Sequence, residues 1–169
     1  MQEFEKITVV HSPSVELIVD NPTELKLIGK GAHGAVFRLS GDKCVKVYAD
    51  ADVAAMETNA FKASQDSDII PRLYEYGPNY IIMEYIEGEA LLEFLSYKKE
   101  IPFYISNKLI GLLKEMRRTG FTRLDSSLRH IIIAPDEHFM VIDLVYSYII
   151  CEAIPRRALA DLKELSLLM

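Results

Sequence analysis

The sequence of 169 residues is poor in cysteine, carries no excess of positive charge and contains no long apolar run. Its two cysteines, Cys44 and Cys151, form no C-x-x-C motif and are too few for a disulfide framework, which favours a reducing compartment. The net charge of −6 argues against a nucleic-acid-binding protein, because such a protein needs a basic face. No apolar run approaches the ~18 residues of a membrane span, and no signal peptide is visible. We therefore expect a cytoplasmic protein that binds neither nucleic acid nor membrane.

Apolar residues make up 50% of the chain, which is enough to form a folded core. The length fits one domain, or at most two small lobes around one cleft. Alternating apolar residues and turn residues predict antiparallel strands and a single helix, over 51–64, within residues 1–86. Helical periodicity dominates residues 87–169, apart from a small hairpin over 131–142. The helices predicted in this second part cover 90–97, 105–119 and 155–167. The predicted fold class is therefore α+β.

Three glycines with the spacing G-x-G-x-x-G lie between two short apolar runs, 24–28 and 35–39. This pattern predicts a glycine-rich β-hairpin around Gly29, Gly31 and Gly34. Glycine is needed where the backbone adopts a positive φ or approaches a ligand closely, and consecutive free N–H groups can bind phosphate oxygens. The hairpin is therefore either an ordinary tight turn or the phosphate-binding part of a nucleotide site.

Lys46 lies on the strand predicted over 43–48, where alternation places it on the same face as Cys44 and Tyr48. Glu57 lies eleven positions later, in the middle of the predicted helix. If that helix packs on the sheet, Glu57 can face Lys46 and fix its flexible side chain for a phosphate contact. The alternative is that both residues are solvated surface charges.

Two aspartates flank the small hairpin that is predicted in the second half of the chain. Asp125 lies in the polar loop 122–130, and Asp143 follows the last apolar strand. If the two side chains converge, one can accept a proton from a hydroxyl group and the other can hold Mg²⁺. The alternative is that Asp125 caps a loop and Asp143 ends a strand.

The segment Met83-Glu84-Tyr85-Ile86 connects the β-rich part of the chain to the helical part. The backbone of such a connector can offer a C=O and an N–H to the edge of a purine. The alternative is that Met83 and Tyr85 are ordinary core residues.

Taken in sequence order, these motifs, from about residue 24 to residue 145, resemble those of the protein kinase superfamily. The three glycines are similar to the loop that covers the ATP phosphates, and Lys46 with Glu57 is similar to the lysine–glutamate pair that holds the α and β phosphates. The connector resembles the gatekeeper and hinge. The nucleotide-binding residues that this resemblance implies are Ile28, Gly29, Gly31, Gly34, Val36, Lys46, Glu57, Met83, Glu84 and Ile86.

In the second half, Asp125 falls where the family has its catalytic aspartate, and Asp143 where it has the aspartate that binds magnesium. The resemblance thus implies ATP and Mg²⁺ as cofactors, with His130 at the second metal position. Ile28, Val36 and Met83 would enclose the adenine, and the backbone of residues 84 and 86 would bind its edge.

The second half also departs from the family pattern. H-R-D reads Arg123-Leu124-Asp125, and His130 replaces the asparagine five positions later, although Mg²⁺ prefers oxygen ligands. D-F-G reads Asp143-Leu144-Val145, no A-P-E follows, and only 26 residues follow Asp143. The chain thus resembles a small bacterial kinase-like protein with a shortened second lobe and an altered catalytic loop.

The resemblance implies a two-lobe kinase-like fold, with an antiparallel sheet and one helix in the lobe 1–86 and a minimal, mainly helical lobe 87–169. The expected function is ATP binding and transfer of the γ-phosphate to a Ser/Thr or other hydroxyl group of an unknown protein or small-molecule acceptor. The first alternative is a pseudokinase that acts as a nucleotide-binding or protein-interaction module. The second is a structural α+β domain without a ligand.

Overall fold

A computed structural model describes residues 2–167, which form two compact units. The first unit contains the described residues up to Lys62 together with Arg72–Tyr85, and the second contains Ala63–Pro71 together with the described residues from Ile86 onward. Among these residues are ten strands and four α-helices, and every pair of neighbouring strands is antiparallel. The predicted α+β class is therefore confirmed.

The first unit consists of a two-stranded hairpin, a five-stranded sheet and one helix. The hairpin strands are β1 (Thr8–His11) and β2 (Leu17–Asp20). The strands of the larger sheet are β3 (Leu27–Lys30), β4 (Gly34–Arg38), β5 (Lys43–Tyr48), β6 (Leu73–Tyr76) and β7 (Tyr80–Glu84). They lie in the order β3-β4-β5-β7-β6. The helix is α1 (Ala51–Ala63), and Asp50 begins it by accepting a hydrogen bond from the amide of Asp52.

The larger sheet of this unit presents different side chains on its two faces, because side chains alternate along each strand. One face packs in an apolar core with residues from the start of the chain. Its buried members are Phe4, Ile7, Val9, Leu17, Ala35, Phe37, Val45, Val47 and Ile82. The opposite face carries Val36 and Lys46, which are paired in the register of β4 and β5. The core therefore occupies one face and leaves the lysine on the other.

The second unit combines a three-stranded sheet with three helices. Its strands are β8 (Glu89–Ala90), β9 (Ile131–Ile133) and β10 (Phe139–Val141), in the order β10-β9-β8. Its helices are α2 (Leu91–Ser96), α3 (Phe103–Arg118) and α4 (Arg156–Glu164). Helix α3 begins two residues earlier than predicted, directly after Pro102. Helix α4 is shorter than predicted, because Leu165 already ends it.

Residues 63–71 belong to the second unit, although the sequence places them in the lobe predicted over 1–86. The Ser67 hydroxyl donates a hydrogen bond of 2.7 Å to the carboxylate of Glu115 on α3, and the Val141 amide donates one of 2.8 Å to the Ile69 carbonyl. Hydrogen bonds from Arg118 and Ser67 lower the pKa of Glu115 to about 2. These long-range contacts leave no local pattern in the sequence.

Along the described residues, 2–167, no helix is both long enough and apolar enough to cross a membrane.

Candidate functional site

The glycine-rich segment forms the hairpin of β3 and β4, in which the amide of Gly31 donates a hydrogen bond of 3.0 Å to the carbonyl of Gly34. Gly34 is required by packing, because a Cβ at this position would collide with the carbonyl oxygen of Val47 on β5. One of the three glycines is thus explained by the sheet itself.

The other two glycines are not explained by contacts within the fold. A Cβ at Gly31 would have no neighbour within 4 Å, and one at Gly29 would make only ordinary contact, at 3.7 Å, with the side chain of Val36. Neither residue has the positive φ that favours glycine. Both therefore leave space beside the backbone of the hairpin, which is what the close approach of a ligand requires.

Lys46 and Glu57 form a buried ion pair in this unit. The Lys46 ammonium lies 2.6 Å from Oε2 of Glu57, and the Tyr48 hydroxyl donates to the same oxygen over 2.7 Å. The Glu57 side chain is fully buried, and 11% of the Lys46 side chain is exposed. This burial excludes the alternative of two solvated charges. It also gives the lysine a fixed position, which a flexible side chain otherwise lacks.

The strand register places further candidate residues on the same face of the sheet as Lys46. Gly29 pairs with Val36, and Val36 pairs with Lys46. Met83 is buried on the same face of β7, two residues beyond the one that pairs with Lys46. Burial raises the pKa of Cys44, also on this face, to about 12, so its thiol carries no charge at neutral pH. Lys46 thus lies on a face of mostly apolar and glycine residues.

The other residues predicted to bind adenine, Ile28, Glu84 and Ile86, have surroundings that differ from those of Val36 and Met83. Ile28 lies at the register shift of β3 and is 37% exposed. The Glu84 amide donates to the carbonyl of Arg72 over 2.8 Å, so its hydrogen atom is used within the sheet, and the Glu84 carbonyl lies 3.8 Å from the sulfur of Cys44. Ile86 belongs to the second unit.

In the second unit, Asp125 and Asp143 line one small cavity, so the two acids converge. Its volume of about 20 Å³ is enough for a single water molecule. His130 also lines the cavity, and its Nδ1 lies 3.4 Å from Oδ2 of Asp143. About 30% of the His130 side chain and 29% of the Asp143 side chain are exposed.

The donor set of this cavity fits Mg²⁺ through a carboxylate. Mg²⁺ is commonly held by one or two carboxylates together with substrate phosphates, and Asp143 offers such a group. The imidazole of His130 is a poor ligand for this ion. Within residues 2–167, no group of three or more His, Cys, Asp and Glu side chains is arranged to hold a metal ion.

Asp125 is bound by the first turn of α4. Its Oδ1 accepts a hydrogen bond of 2.5 Å from the amide of Arg157, and its Oδ2 lies 3.3 Å from Nε of the same residue. The guanidinium of Arg123 lies 3.9 Å from Oδ2, and only 12% of the aspartate side chain is exposed. The sequence analysis missed Arg157, which is 32 positions away from Asp125 and shares no motif with it.

Helix α4 also holds the loop that follows Asp125. Oδ2 of Asp161 accepts hydrogen bonds of 2.8 Å from the Ser127 hydroxyl and from the Leu128 amide. These bonds fix the short 3-10 turn Leu128–His130, which carries the His130 side chain to the cavity. Asp161 could not be identified from the sequence either, because it lies on the predicted helix 155–167, far along the chain from the loop that it binds.

Comparison with known proteins gives one informative similarity. The chain is 30% identical over 132 residues to a Bacillus subtilis (strain 168) protein named "Putative serine/threonine-protein kinase YrzF". The relationship is therefore kinase-like. The similar region makes up 75% of this chain and 61% of the relative, so the chain spans about three-fifths of the length of the protein that it matches. No family model matches the sequence.

Proposed function

We propose that this chain binds ATP with Mg²⁺ and transfers the γ-phosphoryl group to a hydroxyl group of a protein Ser/Thr residue or a small molecule. The observation that carries the proposal is the buried pair of Lys46 and Glu57 on the sheet face next to the glycine-rich hairpin. A buried charge is costly, and burying an ion pair adds little net stability. A fixed ammonium group of this kind supports a role in binding an anion.

Within the first unit, the proposed phosphate contacts come from the hairpin and the lysine. Gly29 and Gly31 leave the backbone open to phosphate oxygens, because a ligand there would meet no Cβ. Lys46 binds the α and β phosphates and is held in place by Glu57. Val36 and Met83, on the same face, contact the adenine.

The second unit supplies the acidic groups of the proposal. Asp143 would hold Mg²⁺, which would supply positive charge to the phosphates. Asp125 orients the acceptor hydroxyl and takes its proton as the acceptor oxygen bonds to the γ-phosphorus. The bond between this phosphorus and its bridging oxygen breaks, and ADP leaves with that oxygen.

The test is an ATP-turnover assay on the whole chain with Mg²⁺ and a mixture of hydroxyl acceptors. Asp143→Asn removes the proposed metal ligand and should lower the rate by roughly a hundredfold, as losses of other charge-stabilising groups do. Asp136→Asn is the matched control, because Asp136 is an exposed acid in the β9–β10 turn, where it contacts His138. Equal turnover by wild type and Asp143→Asn would contradict the proposal. ATP binding without turnover would favour a nucleotide-binding module.

A further inference from the structure

The carboxylate that we assign to the acceptor hydroxyl is already occupied by another part of the chain. Oδ1 of Asp125 accepts the Arg157 amide at 2.5 Å, and Oδ2 faces the guanidinium groups of Arg157 and Arg123. A general base must lie within hydrogen-bond reach of the proton that it accepts. The first turn of α4 already contacts both of these oxygens, which a hydroxyl group would have to reach.

Helix α4 is only weakly anchored by apolar contacts. It has nine residues, and Leu162 is its one buried side chain among those that the structure describes. An apolar pocket of about 210 Å³ is lined by side chains of both α3 and α4. The side chains that line it lack part of the contacts of a close-packed interface. Segments with few buried contacts open at low free-energy cost.

The segment before α4 is attached separately. The amide of Leu124 donates to the carbonyl of Glu152 over 2.8 Å, and the amide of Glu152 donates to the carbonyl of Thr122 over 3.0 Å. Pro155 then precedes the first residue of the helix. The helix can therefore leave its position while the preceding segment remains bound to the loop that carries Asp125.

From these contacts we propose that α4 is an autoinhibitory helix, whose first turn blocks the carboxylate of Asp125 until the helix is displaced. The inference rests on the proposed function, because it assigns a regulatory contact to the acceptor side of that site. Arg157 is the blocking residue, since it contributes both the amide and a guanidinium group to the contact. Asp161 and Leu162 hold the rest of the helix in place.

The first experiment compares Arg157→Ala with Arg156→Ala in the turnover assay. Arg157→Ala removes the charge-assisted guanidinium contact to Oδ2 of Asp125, while the backbone amide still binds Oδ1, so Oδ2 becomes more accessible and the transfer rate should rise by about tenfold. Arg156 is the matched control, because it is the neighbouring arginine and contacts Glu152 instead. Its replacement should leave the rate unchanged. An unchanged or lower rate in Arg157→Ala would overturn the inference.

A second variant releases the helix without altering the contact itself. Leu162→Ala removes the buried anchor of α4 and should also raise the rate, whereas Lys163→Ala, at an exposed position, should not. Hydrogen exchange should show the amides of α4 exchanging faster than those of α3, and faster still in Leu162→Ala. Equal exchange in the two helices would overturn the inference even if a variant fails to turn over ATP.

Nucleotide binding, measured separately, distinguishes a failure of the autoinhibitory role from a failure of the proposed function. If the wild type binds and turns over ATP and Arg157→Ala gives no gain in transfer, the autoinhibitory role of α4 is wrong and the proposed function stands. If the wild type does not bind ATP, the proposed function fails, and this inference fails with it.

Discussion

Single residues determine the chemistry of both candidate sites, and Lys46 with Glu57 is the clearest case. The pair lies on β5 and α1, and the Tyr48 hydroxyl donates a hydrogen bond to the same carboxylate oxygen. Removing one partner of a buried ion pair leaves a buried charge without its counter-charge, which costs more than the intact pair contributes. Replacing one residue of the pair should therefore destabilise the first unit.

Glu57→Ala should lower the free energy of unfolding by about 3–5 kcal/mol, because the buried Lys46 ammonium loses its counter-charge. Asp52→Ala on the same helix is the control, since Asp52 is an exposed residue of the first turn and should cost less than about 1 kcal/mol. Urea denaturation without nucleotide measures both effects. A loss no greater than that of the control would show that the pair is not buried in solution.

Some residue contacts could be predicted from the sequence and others could not. Glu57 faces Lys46 because one helix packs on one sheet, and alternation along β5 identifies the face. The contact between Asp125 and Arg157 joins a loop to a helix 32 positions later. No periodicity links those two residues, so only the folded chain reveals that the proposed base is covered.

At the scale of elements, the glycine-rich hairpin needs glycine for two reasons, strand packing and open space beside the backbone, which the motif alone does not distinguish. Gly34 lets β4 approach β5, whereas Gly29 and Gly31 leave open space. None of the three glycines has a positive φ, so of the two reasons for glycine only close approach applies to them. The spacing therefore encodes one packing position and two positions that are open to a ligand.

Replacing Gly34 and Gly31 by alanine separates these requirements. Gly34→Ala should lower the free energy of unfolding by about 1–3 kcal/mol, because the added methyl group forces the backbones of β4 and β5 apart. Gly31→Ala should leave stability unchanged or raise it slightly, since its Cβ meets open space. Thermal unfolding measures both. Equal destabilisation by the two changes would contradict this assignment of roles.

The long, periodic elements could be predicted from the sequence, and the short ones could not. The strand predicted over 43–48 coincides with β5, and the helix predicted over 51–64 differs from α1 by one residue. Strand β8 has two residues, too few to show alternation. The 3-10 turn Leu128–His130 depends on the distant Asp161, so a local pattern cannot identify it.

For the whole molecule, the described residues divide into two units. The Lys46 face lies in the first unit, and the cavity lined by Asp125 and Asp143 lies in the second. The sequence places a change of composition near residues 86–88, where the chain enters the second unit. It does not show that 63–71 leave the first unit, because their partners lie far along the chain. The kinase-like relationship spans both units, since it includes 132 residues.

The most direct test of the central claim is thermal unfolding of the whole chain in a titration with ATP and Mg²⁺. A ligand that binds only the folded state raises the melting temperature, by an amount equivalent to about 2.7 kcal/mol at a hundredfold excess over its dissociation constant. We expect ATP to raise the melting temperature of the wild type, and to raise that of Lys46→Ala by less. The control Lys62→Ala should show the same rise as the wild type, because the Lys62 ammonium lies over the ring of Tyr76. An unchanged melting temperature of the wild type at millimolar ATP would contradict the account.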